Sequence, residues 1–186
     1  MTSSSFNFNP PSFANGLDTP EYKNIFNDGN IEIREYKESF WVSTEEVNSQ
    51  SGFWKLFNYI RGENSTEEKI SMTSPVVRTI AAKTPFSSND TLGKMSFYLG
   101  KKFQNGDAPS PIGEGTYIEK VPFKRVGIIS YGGYTSKEKE LENLKKLGDF
   151  LTSKGYKFLT ENYFTAGYDS PFKFWFRHNE VWVELI

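Results

Sequence analysis

The most informative absence is cysteine, of which the 186-residue chain has none. Disulfides, thiol catalysis, zinc–thiolate sites and covalent attachment of c-type haem all need cysteine, so the sequence excludes them. Histidine is almost as scarce, since His178 is the only one. Metal sites built from several histidines are therefore impossible, and a Ser-His-Asp triad would have to be built around His178.

The chain also lacks an excess of charge of either sign and a long apolar run. Its 22 basic and 23 acidic residues give a net charge of −1, so we expect no nucleic-acid partner. No apolar run approaches the ~20 residues that span a bilayer, and we expect no transmembrane segment. Residues 1–15 lack the basic and apolar regions of a signal peptide, which favours a cytoplasmic protein.

Aromatic residues, in contrast, are abundant: 17 Phe, 10 Tyr and 4 Trp make up 17% of the chain. A hydrophobic content of 37% is enough for a core, and the length allows either one domain or two fused half-domains. Residues 1–20 are polar, so we expect a disordered tail there and a folded region over 21–186.

The order of predicted elements recurs along the chain. Alternation and β-forming residues predict strands in the first half at 31–36, 40–47, 69–80 (interrupted at Pro75) and 94–99, with a helix over 49–62. After a Gly/Pro connection at 100–115, the second half has predicted strands at 116–121, 125–131, 163–166 and 181–185. Its helix begins at a Thr135-x-x-Glu138 capping box and ends at Gly155.

Each half therefore has the order strand, strand, helix, strand, strand. The halves cover about residues 30–100 and 116–186. This duplication predicts an α+β fold, in which a twisted antiparallel sheet or open barrel carries two long helices.

The first helix has two distinct faces. Ser49 can cap its start, and Gly62 can end it in a left-handed conformation. One face is apolar and predicts a core contact: Phe53, Leu56, Phe57 and Ile60. The flank beside it mixes aromatic and polar groups that could reach a ligand: Gln50, Trp54, Phe57, Asn58 and Arg61. The alternative is a core helix whose aromatic residues only extend its buried face.

Several blocks of the sequence, in one order, resemble the SOUL/haem-binding protein family. The resemblance covers about residue 20 to the end, and it implies a single domain over 21–186 with a duplicated α+β fold. The matching blocks are Ile33-Arg34-Glu35-Tyr36, Trp41-Val42-Ser43-Thr44, Gly52-Phe53, Tyr59-Ile60, Lys69-Ile70, Met72-Thr73, Pro75-Val76, Thr165-Ala166-Gly167-Tyr168-Asp169-Ser170-Pro171 and Asn179-Glu180-Val181-Trp182.

The resemblance implies non-covalent binding of haem or a related tetrapyrrole in a shallow hydrophobic cleft, as a carrier or buffer rather than an enzyme. The cleft's walls would be the 50–61 flank of the first helix and the loop 170–178. The family's apolar helix positions fall on Phe53 and Phe57, where a macrocycle could stack. Its basic positions fall on Gln50 and Asn58, so Arg61 or Lys173 would have to supply the positive charge.

The resemblance also bears on an axial iron ligand. An axial histidine proposed for one branch of the family falls on Glu35, which is a poor ligand for haem iron. His178, in the other predicted wall, is the remaining candidate, and the alternative is a loop histidine bound to a backbone group. We expect tetrapyrrole binding by stacking, without a strong axial bond.

Two other functions remain open. The second helix, over 138–154, contains Leu144, Gly148 and Asp149 at the spacing of helices that dock in the groove of apoptosis regulators, which would make the protein an interaction module. The same leucines are needed to bury this helix on its own sheet. The cleft could also bind another flat apolar ligand, or act chemically on a bound chromophore.

Overall fold

The computed structural model describes residues 8–45, 48–82, 91–170 and 172–186, which form one nine-stranded sheet with two α-helices. The strands are β1 (Tyr22–Asp28), β2 (Ile31–Tyr36), β3 (Ser39–Thr44), β4 (Val76–Ala81), β5 (Thr91–Tyr98), β6 (Thr116–Val121), β7 (Lys124–Tyr131), β8 (Asn162–Gly167) and β9 (Asn179–Glu184). The helices are α1 (Ser49–Ile60) and α2 (Lys137–Ser153). The predicted α+β fold class is confirmed.

The sheet is antiparallel throughout and curls into a half-barrel in the order β1-β2-β7-β9-β8-β4-β5-β3-β6. Apart from the added strand β1, this order is symmetric about the β8–β4 pair. The first strand of each half pairs with the second strand of the other half: β2 pairs with β7, and β6 pairs with β3. The predicted duplication is therefore confirmed, and this exchange joins the halves into one sheet.

The sequence predicted most strands within a few residues. Strands β2 and β6 have the predicted limits, whereas the strand predicted over 69–80 is confirmed only from Val76 onward, directly after Pro75. The strand predicted over 40–47 ends at Thr44, although residues 46 and 47 lie outside the described part of the chain. The sequence missed β1, which pairs only with β2 and is largely exposed, so it lacks the alternation that marks a half-buried strand.

In both helices the capping residue is the one next to the predicted cap. Asn48, not Ser49, caps α1, and its side chain accepts hydrogen bonds from the backbone N–H groups of Gln50 and Ser51. Ser136, not Thr135, caps α2 and accepts from Lys139 N–H. The Ser136 oxygen satisfies a backbone donor that has no partner within the helix. The predicted stops are confirmed, since Gly62 and Gly155 have φ angles of 119° and 77°.

Both helices pack on the same face of the sheet. Helix α1 covers β3 and β5 through Leu56, Tyr59 and Ile60, and α2 covers β7 and β9 through Leu144, Leu147 and Leu151. The three α2 leucines are completely buried, so their spacing reflects packing on the sheet. Docking these leucines in a partner's groove would require α2 to leave its own core. Within the described ranges, no helix is long and apolar enough to cross a membrane.

Residues 8–20 differ from the disordered tail that the sequence predicted. A short 3₁₀ helix covers Ser12–Ala14, Ala14 is fully buried, and Phe13 packs edge-on against Tyr168 with ring centroids 4.9 Å apart. The polar composition suggested disorder, but this aromatic contact with a distant part of the chain holds the segment in place. Residues 1–7 of the predicted tail lie outside the described part of the chain.

The contact between α2 and β7 gives a stability prediction. A Cβ atom added at Gly127 would lie 2.8 Å from Cδ1 of the fully buried Leu151. We expect Gly127→Ala to lower the free energy of unfolding by about 1–3 kcal/mol, because the packed core cannot move aside. Urea denaturation measures the change.

A matched control is available in another strand. A Cβ atom at Gly167 would meet nothing within 4 Å. Gly167→Ala should therefore change the free energy of unfolding by no more than about 0.5 kcal/mol. Equal losses in the two variants would contradict the proposed close contact at Gly127.

Candidate functional site

An apolar cleft opens between α1 and the segment that follows β8. Its volume is about 430 Å³, which lies within the range of small-molecule sites. Helix α1 forms one wall, residues 167–170 and Phe172 form the other, and residues 72–76 with Leu17 lie between them. We call this space the α1 cleft. Its lining residues are Leu17, Phe53, Trp54, Phe57, Met72, Thr73, Ser74, Val76, Gly167, Tyr168, Asp169, Ser170 and Phe172.

Three aromatic rings give the α1 wall its apolar surface. Phe53 and Phe57, one turn apart, are stacked with centroids 5.7 Å apart and an interplanar angle of 17°. Trp54 lies edge-on to Phe57 and is half exposed. Phe53 also contacts Phe97 of β5, with centroids 5.4 Å apart, so the sheet supports this wall from behind. The wall therefore presents flat rings at a fixed position.

A single carboxylate holds the second wall. Asp169 accepts hydrogen bonds from Lys173 Nζ at 2.5 Å, from the His178 backbone N–H at 2.5 Å and from Asn15 Nδ2 at 3.0 Å. Burial opposes its ionisation, but these three donors together lower the pKa of the Asp169 carboxyl. Asp169 thus ties the segment after β8 to the start of β9 and to the N-terminal segment.

Behind that wall lies a buried charge cluster on the sheet face opposite the helices. Glu180 of β9 and Arg34 of β2 are fully buried, and the Arg34 guanidinium donates to both carboxylate oxygens, at 3.2 and 2.9 Å. The same carboxylate accepts from Tyr168 Oη at 3.0 Å and from Trp182 Nε1 at 2.7 Å. Tyr168 lines the cleft, so the cluster fixes one of its side chains.

The cluster shifts the acidity of its members. Burial alone would raise the pKa of Glu180, but the Arg34 charge and the hydrogen bonds from His178 and Arg34 lower it to about 2. Burial raises the pKa of the Tyr168 hydroxyl well above its usual value, and the Glu180 charge adds to this effect. Tyr168 therefore remains a neutral hydrogen-bond donor to an ionised carboxylate.

The structure brings only some of the predicted site residues to the cleft. Phe53, Trp54 and Phe57 line it. Gln50 and Asn58 are exposed on α1, and Arg61 is exposed directly after it. None of the three lines the cleft, although the Arg61 guanidinium carbon lies 5.7 Å from the Phe57 ring centroid. Lys173 is bound to Asp169, directly behind the second wall.

His178 is placed behind the second wall and does not line the cleft. Its Nε2 is 2.8 Å from Glu180 Oε1, and its ring stacks on Phe13 with centroids 3.7 Å apart and an interplanar angle of 8°. The Glu180 contact engages one of the two ring nitrogens through which a histidine can bind iron, and the stacking on Phe13 fixes the position of the ring. Among the described residues, no group of three or more His, Asp or Glu side chains is placed to hold a metal ion.

Sequence reasoning missed the lining residues Leu17, Met72 and Tyr168. Met72, Tyr168 and Asp169 lie within the blocks that resemble the family, so their positions in those blocks were the available signal. Leu17 lies in the segment that was predicted to be disordered, and nothing local marked it as part of a site.

A second cavity lies on the opposite face of the sheet. Tyr36, Trp41, Phe164 and Trp182 line it, together with the Lys94–Glu119 ion pair. Its volume is about 100 Å³, roughly a quarter of that of the α1 cleft. The α1 cleft is therefore the better candidate for a large planar ligand.

Comparisons with known proteins find sequence relatives over most of the chain. A sequence model described as "SOUL heme-binding protein" matches residues 17–184. The chain is 37% identical to Heme-binding protein 2 of Homo sapiens over 162 residues, covering 83% of this chain and 78% of that protein. It is 30% identical to Heme-binding protein 1 of Xenopus tropicalis over 161 residues, covering 82% of each.

Solved structures share the fold at low sequence identity. The C-terminal domain of EcmrR has a TM-score of 0.58 at 13% identity, covering 89% of this chain and 98% of that chain. A hydrolase encoded by lin2189 from Listeria innocua has a TM-score of 0.60 at 8% identity, covering 84% of this chain and 92% of that chain. At such identities the likeness concerns the fold alone.

The buried Arg34–Glu180 pair predicts the effect of removing the Glu180 carboxylate. Glu180→Gln removes the fully buried counter-charge of Arg34 and leaves only the partly exposed Glu32 carboxylate beside it, so we expect a loss of roughly 3–5 kcal/mol in the free energy of unfolding at pH 7. Asp149→Asn breaks the exposed Lys145–Asp149 pair and should cost less than about 1 kcal/mol. Urea denaturation of both variants measures the difference.

The same pair predicts a pH dependence. Because folding lowers the pKa of Glu180 from 4.5 to about 2, its stabilising contribution is complete above pH 4.5 and is lost as the pH falls towards 2. The free energy of unfolding of the wild type should therefore fall through this window more steeply than that of Glu180→Gln. Parallel pH profiles for the two proteins would rule out this linkage.

Proposed function

The chain belongs to the SOUL haem-binding protein family, and on that premise we propose that it binds haem or a related tetrapyrrole non-covalently in the α1 cleft. The observation that carries the proposal is the wall of flat rings formed by Phe53, Trp54 and Phe57 in a cleft of about 430 Å³. The names of the relatives state haem binding for those proteins, which supports the same ligand class here.

The shape and chemistry of the cleft suit a planar macrocycle. An aromatic ligand gains from offset stacking and from the burial of its faces, and the α1 wall offers both. Phe172 and Met72 supply apolar surface elsewhere in the cleft. The cleft is open, so one edge of a macrocycle would remain in water, where acidic substituents keep their hydration.

Arg61 is the cation that we expect to meet those acidic substituents. It is exposed, it lies against the Phe57 ring, and a guanidinium can bind a carboxylate through two parallel hydrogen bonds. Lys173 is a second candidate, although its ammonium is bound to Asp169 and to Asn15 Oδ1. Gln50 and Asn58 could add neutral hydrogen bonds from the exposed side of α1.

We expect binding to depend on stacking and not on an iron–histidine bond. His178 does not line the α1 cleft and would have to leave its position against Glu180 and Phe13 to reach iron bound there. Haem bound in this way would keep its own redox and ligand chemistry, while the chain would supply the apolar surface, the orientation and a charge at the rim. An open cleft without an axial bond permits exchange, which suits a carrier or buffer in the cytoplasm rather than an enzyme.

An absorbance titration tests the proposal. We expect a sharpened, saturable Soret band at about one equivalent of hemin, with a dissociation constant of roughly micromolar order. Metal-free protoporphyrin IX should bind within about threefold of hemin, since stacking does not involve the metal. No spectral change up to about tens of micromolar hemin would exclude the α1 cleft as a haem site.

Two exposed tryptophans provide a matched pair of variants. Trp54→Ser should weaken hemin binding by about tenfold, because it removes one ring of the α1 wall. Trp175→Ser removes an exposed tryptophan that does not line the cleft, so it should leave hemin affinity unchanged. Equal affinities for Trp54→Ser and the wild type would place the ligand elsewhere.

A third variant tests the axial bond separately. His178→Ala should leave the position and shape of the hemin Soret band unchanged, because His178 is engaged with Glu180. Loss of a low-spin spectrum in this variant would instead assign the axial bond to His178.

A further inference from the structure

A row of exposed aromatic side chains lies between β8 and β9. Phe172, Phe174, Trp175 and Phe176 are 83%, 66%, 78% and 97% exposed. We call residues 172–176 the aromatic loop. Single exposed apolar residues are common on soluble proteins, but several large rings in one short loop indicate a surface that another apolar phase covers.

The backbone around the aromatic loop is held in place while its rings face outward. Lys173 N–H donates to the Ser170 carbonyl at 3.0 Å, and Arg177 Nη1 donates to the carbonyl oxygens of Ser170 and Lys173, at 2.8 and 2.7 Å. Phe176 has a φ angle of 52°, an uncommon conformation for a phenylalanine. These contacts maintain the exposure of the rings.

Basic residues adjoin the rings and leave an excess of positive charge there. Lys173 is paired with Asp169, while Arg177 binds backbone carbonyls and pairs with no carboxylate among the described residues. Arg61 adds a further exposed cation beside Phe57, directly after α1. Aromatic rings combined with lysine and arginine are the composition that binds the interface of an anionic bilayer.

The aromatic loop is continuous with the mouth of the α1 cleft. Phe172 belongs to the loop and also lines the cleft, and the half-exposed Trp54 lies on the facing wall. A surface that covered the loop would therefore lie next to the opening of the cleft.

We propose that the aromatic loop docks on an anionic phospholipid membrane, with Phe174, Trp175 and Phe176 entering the headgroup region and the excess positive charge of Arg177 and Arg61 attracting the lipid phosphates. The rings of Phe174, Trp175 and Phe176 project from the loop and do not line the α1 cleft, so a fluid bilayer can surround them without a shaped partner surface. Docking would place the opening of the α1 cleft next to the membrane, in which apolar ligands dissolve. This step does not depend on which ligand the cleft binds.

Vesicle flotation with the full chain tests the proposal. One set of vesicles contains only phosphatidylcholine, and the other contains about 30% phosphatidylserine, which matches the anionic character of a cytoplasmic leaflet. We expect the wild type to float with the anionic vesicles and to bind the neutral ones roughly tenfold more weakly. Tryptophan emission should shift to shorter wavelength on binding, as Trp175 leaves water.

The triple variant Phe174→Ser/Trp175→Ser/Phe176→Ser should lose at least about tenfold in vesicle affinity. Its matched control, Ile112→Ser/Phe123→Ser, removes two exposed apolar side chains outside the loop and should bind like the wild type. Thermal unfolding should show that both variants remain folded, because all the altered side chains are exposed. Hemin titration of the triple variant separates the two proposals, since the cleft should still bind hemin.

Three results would overturn the proposal. The wild type could remain unbound with both kinds of vesicle, or the triple variant could bind them as well as the wild type does. The third result combines two observations: the wild type does not bind vesicles, and it forms a dimer in sedimentation experiments that the triple variant does not form. That result would assign the aromatic loop to contact between two copies of this chain.

Discussion

The buried carboxylate of Glu180 is the constraint on which the candidate site depends. It lies on β9 and binds Arg34 of β2 across the intervening strand β7, and it also accepts hydrogen bonds from Tyr168 and Trp182. A charge removed from water is stable only while its partners stay in place, so each of these donors is confined to one position. Tyr168 is thereby fixed, and with it the start of the second wall of the α1 cleft. Asp169, the next residue, repeats the arrangement on a smaller scale by binding Lys173, Asn15 and the His178 backbone.

The two faces of the sheet have different roles because of this arrangement. The face opposite the helices carries the charge cluster and aromatic side chains that fill most of the available space, and the cavity left there is about 100 Å³. The helical face leaves a larger opening at the edge of α1, where Phe53 packs on the sheet while Trp54 remains half exposed. A ligand entering the cleft would meet walls that are already ordered, so little conformational entropy would be lost on binding. The aromatic loop extends the same surface outward, which connects ligand binding with membrane docking.

Local sequence patterns were sufficient to predict the fold class and most elements, but not the arrangement of the candidate site. The alternation in residues 31–36 and 116–121 gave two strands with their correct limits, and the apolar stripes located both helices. The caps were misplaced by one residue because Asn48 and Ser136 have neighbours of similar capping ability. The flank of α1 indicated Trp54 and Phe57, which do line the cleft. No local pattern could reveal the contact between Arg34 and Glu180, which are 146 residues apart, or the packing of Phe13 on His178. For the same reason the hydrogen bond between His178 and Glu180 could not be predicted from the sequence, and it is seen only in the folded structure.

The indole N–H signals of the four tryptophans give the most direct test of the ligand's position. In an amide-correlation NMR titration with a diamagnetic zinc or metal-free porphyrin, the ring current of the macrocycle shifts the signals of nearby protons. Trp54 lines the α1 cleft, Trp41 and Trp182 line the cavity on the opposite face, and Trp175 lies in the aromatic loop. We expect the Trp54 signal to shift most, together with backbone amides of residues 53–57 and 167–170, while the signals of Trp41 and Trp182 stay unchanged. Dominant shifts at Trp41 and Trp182 would contradict this expectation and place the ligand on the other face of the sheet.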